Sequence, residues 1–148
     1  MPVVMKFLHV LAAIIWLGGV AFLLLALRPA AAQLLAPPQR LALLGQTLQR
    51  FFALVWACIV VLLASGLAML LGVGMKHAPA GWHAMLGLGL LMMAVFGHVY
   101  FGPFRRLQHA VSAGDWPEGG RRAGQIAALA RLVLGLGVLA IAAVLFVR

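Results

Sequence analysis

Apolar residues fill four long stretches of the chain, at about 3–27, 51–71, 82–101 and 126–147, and polar residues fall almost entirely between them. Each stretch supplies the roughly 20 mostly apolar residues that a helix needs to cross a bilayer. In hydrocarbon the backbone must satisfy its own hydrogen bonds, so these stretches are predicted to be α-helices. The expected fold is all-α: one integral membrane four-helix bundle covering residues 1–148 as a single transmembrane domain. Arg28-Pro29 is expected to stop the first span, because proline breaks a helix that contains it and disfavours helix in the residue before it. Pro37-Pro38 opens a lead-in to the second span, since proline at the first helical position loses no hydrogen bond. Gly72, Gly74 and Ala78-Pro79 turn the chain before Trp82, where the third helix begins and runs past the membrane to Ala113. Gly114 ends it, and Asp115-Trp116-Pro117-Glu118 has the spacing of a capping box for the fourth.

Composition narrows what such a bundle can do. The chain is 66% hydrophobic and 9% charged, where soluble domains are roughly 45–50% apolar and 25% charged. Its side-chain carboxylates are Asp115 and Glu118, which excludes paired-acid hydrolysis, carboxylate cages for Mg²⁺ or Ca²⁺, and a carboxylate proton relay across the membrane. Two serines and one threonine leave almost nothing from which to build a serine-nucleophile triad. The net charge of +9 comes from residues at the ends of the spans, so it indicates topology and not nucleic acid. Arg28, Arg40, Arg50, Arg105, Arg106, Arg121 and Arg122 gather on one side, against Lys6, Lys76 and Arg148 on the other. By the positive-inside rule both termini face outward, to the periplasmic side of a bacterial inner membrane. Arg131, near the inner end of the fourth span, can snorkel to the headgroups as an anchor. The first stretch exceeds the core of a secretory signal and is expected to be retained. Cys58 reads as a small core hydrophobe.

Ionisable groups are costly inside a membrane, which makes the five histidines the first functional candidates. His9 and His83 open spans that run in the same direction, so the two imidazoles are expected to share a level near the outer surface. His77, in the outer turn, is placed to approach them. His98 lies about 22 Å further along the third helix than His83, outside that site, and His109 is expected to be solvated among arginines. On a helical wheel the His9 face carries Met5, Ala12, Ala13 and Trp16, and the His83 face carries Gly87, Leu90 and Ala94. Small residues there allow close helix approach or leave room for a flat ligand. Thioether sulfur with imidazole suits Cu(I), and Met5 and Met75 lie at the depth of the histidines. Met85 points about 200° away from His83 on the same helix and is set aside, as are Met92 and Met93, which read as packing residues.

Lys6-Phe7-Leu8-His9-Val10-Leu11-Ala12-Ala13 followed by Trp16-Leu17-Gly18-Gly19 resembles the opening span of the copper-resistance D (CopD) family. Arg50-Phe51-Phe52, Trp82-His83 leading into Gly87-Leu88-Gly89, and His98-Val99-Tyr100-Phe101 with Phe104-Arg105-Arg106 extend the resemblance to small four-span members. The histidines of the first and third spans are also similar to those of HemJ-type protoporphyrinogen oxidases, which carry b haem. The resemblance implies a membrane bundle that handles copper or haem. As a copper-binding or copper-transport protein it would use His9, His83, Met5, Met75 and His77 as metal ligands and exchange the ion with a periplasmic donor or acceptor. As a redox protein or oxidase it would hold b-type haem between His9 and His83, with Gly87 and Ala13 making room for the ring, Lys6 or Lys76 meeting the propionates, and a membrane electron-transfer partner. A third expectation is a non-catalytic subunit that binds a neighbouring membrane protein, or another copy of itself, through its Gly and Ala faces.

Overall fold

The computed structural model describes residues 3–147; Arg148, one of the charges expected on the outer side, lies outside them. The described chain forms four helices long and apolar enough to cross a membrane: α1 (Val3–Leu34), α2 (Pro37–Val73), α3 (Ala80–Ala113) and α4 (Trp116–Phe146). Large apolar residues such as Phe7, Ile14, Val60, Phe101 and Leu145 are exposed on the outside of the bundle, an arrangement that suits lipid and not water as the surrounding medium.

Proline accounts for where the helices differ from the sequence expectation. α1 continues through Arg28-Pro29 to Leu34 instead of ending there, because residues Leu23–Leu27 form a π-helical turn. The Arg28 N–H reaches back five residues to Leu23 O, and this widened turn takes up the ladder position that Pro29 cannot fill. Pro103 is absorbed the same way, inside a π turn at Tyr100–Phe104, so α3 also runs on without a break. Pro37 does start α2. Gly114, at φ +70°, takes the left-handed position that ends α3. The capping box forms only by half. Asp115 Oδ1 accepts from the Glu118 N–H at 3.2 Å, but the Asp115 N–H goes to Ala110 O, and the Glu118 carboxylate pairs with Arg121 and Arg122.

α1 packs chiefly on α2 and α3 chiefly on α4, while α1 and α3 stand diagonally across the bundle. The two halves of the bundle are packed differently. Toward the connections at residues 35–36 and 114–115, aromatic side chains lock the pairs together. Phe52 of α2 meets Phe96 and Phe104 of α3 with ring centroids 5.2 and 4.9 Å apart, and Trp16 of α1 reaches across to Phe96 at 6.1 Å. Edge-on contacts of this kind add about 0.5–1.5 kcal/mol each beyond their buried area. Toward the turn at residues 74–79 the helices part around a cavity.

Glycines set the closest approaches. An added Cβ at Gly81 of α3 would fall 2.5 Å from the backbone oxygens of Ala143 and Val147 on α4, whereas one at Gly87 would meet nothing within 4 Å. Gly81→Ala is therefore expected to lower stability in detergent by about 1–3 kcal/mol, the usual range for overpacking against atoms that cannot move aside. Gly87→Ala is expected to be neutral or slightly stabilising. Thermal unfolding of the two variants beside the parent checks the pair, and an equal effect would contradict the packing described.

Candidate functional site

The cavity has a volume of about 410 Å³ and is walled by all four helices. Lys6 and His9 are the ionisable side chains in its wall, which is otherwise almost wholly apolar. Trp16, 2% exposed, and Met92 close it toward the aromatic half.

His9 is held in one orientation. Its Nδ1 lies 2.9 Å from the Oγ of Ser65 on α2, and that hydroxyl is itself 2.5 Å from Val61 O, one turn back on its own helix. A hydroxyl has a single proton, and the carbonyl can only accept, so the Ser65 proton goes to Val61 O. Ser65 Oγ must then accept from His9, which places the ring proton on Nδ1. In the neutral ring this leaves the Nε2 lone pair without a hydrogen-bond partner among the described residues. Metal-binding histidines are commonly oriented by such a bond through the other ring nitrogen. Gly66 presses on the ring from the side: a Cβ there would come 3.3 Å from His9 Cε1.

The structure does not bring His83 to this cavity. Its side chain is exposed, and Nδ1 lies 3.3 Å from the carbonyl of Pro79 on the preceding turn. Gly87 and Ala94, which share its face, are exposed as well. Met75 and His77 are exposed in the turn that joins α2 and α3, and half-buried Met5 is not among the lining residues. His9 and Ala13 do line the cavity. His98 and His109 are exposed, away from it.

In place of the expected partners, the wall presents Met69 of α2 and Met85, Met92 and Met93 of α3. The 200° separation of His83 and Met85 holds, but Met85 is the one that faces inward. The signal in the sequence was the stripe Met85, Gly89, Met92, Phe96. Its spacing continues into the aromatic core, while on the stripe from His83 only Leu90 reaches the cavity wall and Gly87 and Ala94 are exposed. Among the described residues no three His, Cys, Asp or Glu side chains come together as a metal site.

The protein-family model described as CopD, Copper resistance protein D, matches residues 45–147. No curated protein and no solved structure matches the chain.

The hydrogen-bond assignment makes a spectroscopic prediction. In histidine-selective ¹⁵N spectra of the solubilised protein, one ring is expected to show a fixed proton on Nδ1. Ser65→Ala removes its acceptor and is expected to give a mixture of tautomers, with a stability loss of about 1 kcal/mol. A spectrum that Ser65→Ala leaves unchanged would refute the assignment.

Proposed function

The chain belongs to the copper resistance protein D family, and from that membership together with the His9 cavity we propose that it binds copper within the membrane as part of copper handling. The observation that carries this reading is His9 itself, a lining residue of a cavity between the helices whose Nδ1 is tied to Ser65, which leaves Nε2 as the nitrogen free to take a ligand. Imidazole nitrogen presented in this way is a good ligand for copper and a poor one for Mg²⁺ or Ca²⁺. The copper ion is cargo in this reading. Exposed Met75, His77 and His83, at the same end of the bundle, are proposed to meet the ion before it reaches the interior, with Met5 one turn above His9.

The placement we propose is the bacterial inner membrane with both termini on the periplasmic side. Support comes from the arginine-rich 35–36 and 114–115 ends of the bundle against the lysine-bearing opposite end. The cavity then lies in the periplasmic half of the bundle, where a soluble donor or acceptor is proposed to exchange the ion. A reporter fused at residue 148 that is active only in the periplasm tests this arrangement, and activity only in the cytoplasm would reverse it.

A b-type haem between two imidazoles is less well supported, because His83 lies outside the cavity wall. Lys6 and the apolar lining are the features that favour a flat cofactor. Metal analysis and a visible spectrum of purified protein separate the readings. Copper is expected to bind the parent, His9→Ala to weaken it at least about tenfold, equivalent to roughly 1.4 kcal/mol, and His83→Ala to change affinity much less. A Soret band that disappears in His9→Ala would replace copper by haem, and copper affinity indifferent to His9→Ala would remove the site.

A further inference from the structure

Heights along the helices can be matched through the contacts that cross the bundle. Trp16 lies two turns beyond His9 on α1 and touches Phe96 of α3. Two turns back from Phe96 is Gly89, a cavity residue, so Gly89 stands at the level of His9. Met85 is one turn above that level, toward the 74–79 turn, and Met93 one turn below it. On α2, Ser65 is level with His9 through their hydrogen bond, and Met69 is one turn above. Three half-buried methionines thus bracket the His9 ring from two helices. Met92 is 5% exposed and belongs to the packed floor.

Resting on the copper reading above, we propose that His9 Nε2 and the thioethers of Met69, Met85 and Met93 form a site for a monovalent soft ion, Cu(I), that excludes Cu(II) and Zn(II). Methionine is unbranched with three rotatable bonds, so sulfurs one turn above and below the imidazole can adapt toward an ion held in the cavity. Thioether sulfur is a neutral soft donor that selects Cu(I) among the available metals.

Charge reaches the same conclusion independently. Both side-chain carboxylates, Asp115 and Glu118, belong to the opposite end of the bundle, and Lys6 adds a positive charge to the wall. Among the described residues, an ion here meets no side-chain carboxylate. Since the cost of transferring an ion out of water grows with the square of its charge, a divalent ion pays roughly four times what a monovalent one does. Lys6 also repels the divalent ion about twice as strongly.

The test is an anaerobic titration of the full-length chain in detergent, with Cu(I) held by a chromophoric chelator. The chain is expected to withdraw Cu(I), Ag(I) to displace it, and Cu(II) and Zn(II) to bind at least about 100-fold more weakly. The double variant Met85→Leu with Met93→Leu conserves side-chain volume, so it is expected to unfold at the parent's temperature while losing Cu(I) affinity by about tenfold or more. X-ray absorption of the loaded parent is expected to show both sulfur and nitrogen neighbours. Cu(II) or Zn(II) binding as tight as Cu(I), or a double variant that binds like the parent, would overturn the thioether site while leaving copper at His9 intact. A parent that binds copper in neither oxidation state would bring down the broader reading as well.

Discussion

The aromatic contacts among Trp16, Phe52 and Phe96 hold three helices together at one level, and the rest of the architecture follows from where that level lies. In lipid there is no hydrophobic force to draw helices together, so association depends on fitted packing and on small residues that permit close approach. The aromatic rings supply the fitted packing at one end. At the other end, Gly81 lets α3 lie directly against the backbone of α4, while a cavity lies between the four helices. A four-helix bundle closed by rings at one level and tied only in pairs at the other has a space between the pairs, and His9 stands at the edge of that space.

The four spans were legible because hydropathy over twenty residues is a strong signal and the bilayer permits few alternatives. Pro37 and Gly114 were legible as punctuation because each takes a position where its backbone peculiarity costs nothing. Pro29 was harder, whereas Pro103 lies in a helix expected to run on to Ala113, as it does. A proline preceded by or lying within a π turn gives the same sequence cue as one that ends a helix, and the difference resides in how neighbouring carbonyls are re-satisfied. Of the residues singled out in the sequence, His9 and Ala13 line the cavity. The face of α3 was read from the wrong starting residue. Choosing His83 as the inward position followed from the rarity of ionisable groups in spans, but a histidine one turn from the helix start can reach the preceding carbonyl and the surface instead. An apolar stripe that ends in Phe96 was the better guide to the interior than a polar residue near a helix end.

Ser65 shows why a hydroxyl in so apolar a helix is informative. Bonded only to Val61 O it would serve as an ordinary satisfied membrane serine, a common and structurally modest arrangement. Its second bond, accepted from His9, changes its consequence, because the tautomer of a ring on another helix now depends on it. The signal is invisible to a reading of single helices. His9 and Ser65 are separated by 56 positions, and their pairing depends on the register of α1 against α2, where Gly66 leaves room for the imidazole beside the helix.

The distribution of charge decides how any ion can be held in this molecule. With eleven basic residues and two acidic ones, the chain's field repels cations, and both acids are already engaged, Asp115 at a helix start and Glu118 with arginines. Electrostatic attraction therefore cannot gather a metal into the cavity. Whatever binds there must be retained by short-range bonds to neutral donors, and the neutral donors on the wall are one imidazole nitrogen and several thioether sulfurs. Discrimination among metals then falls to ligand softness, the property in which Cu(I) differs most from the hard divalent ions that surround a cell.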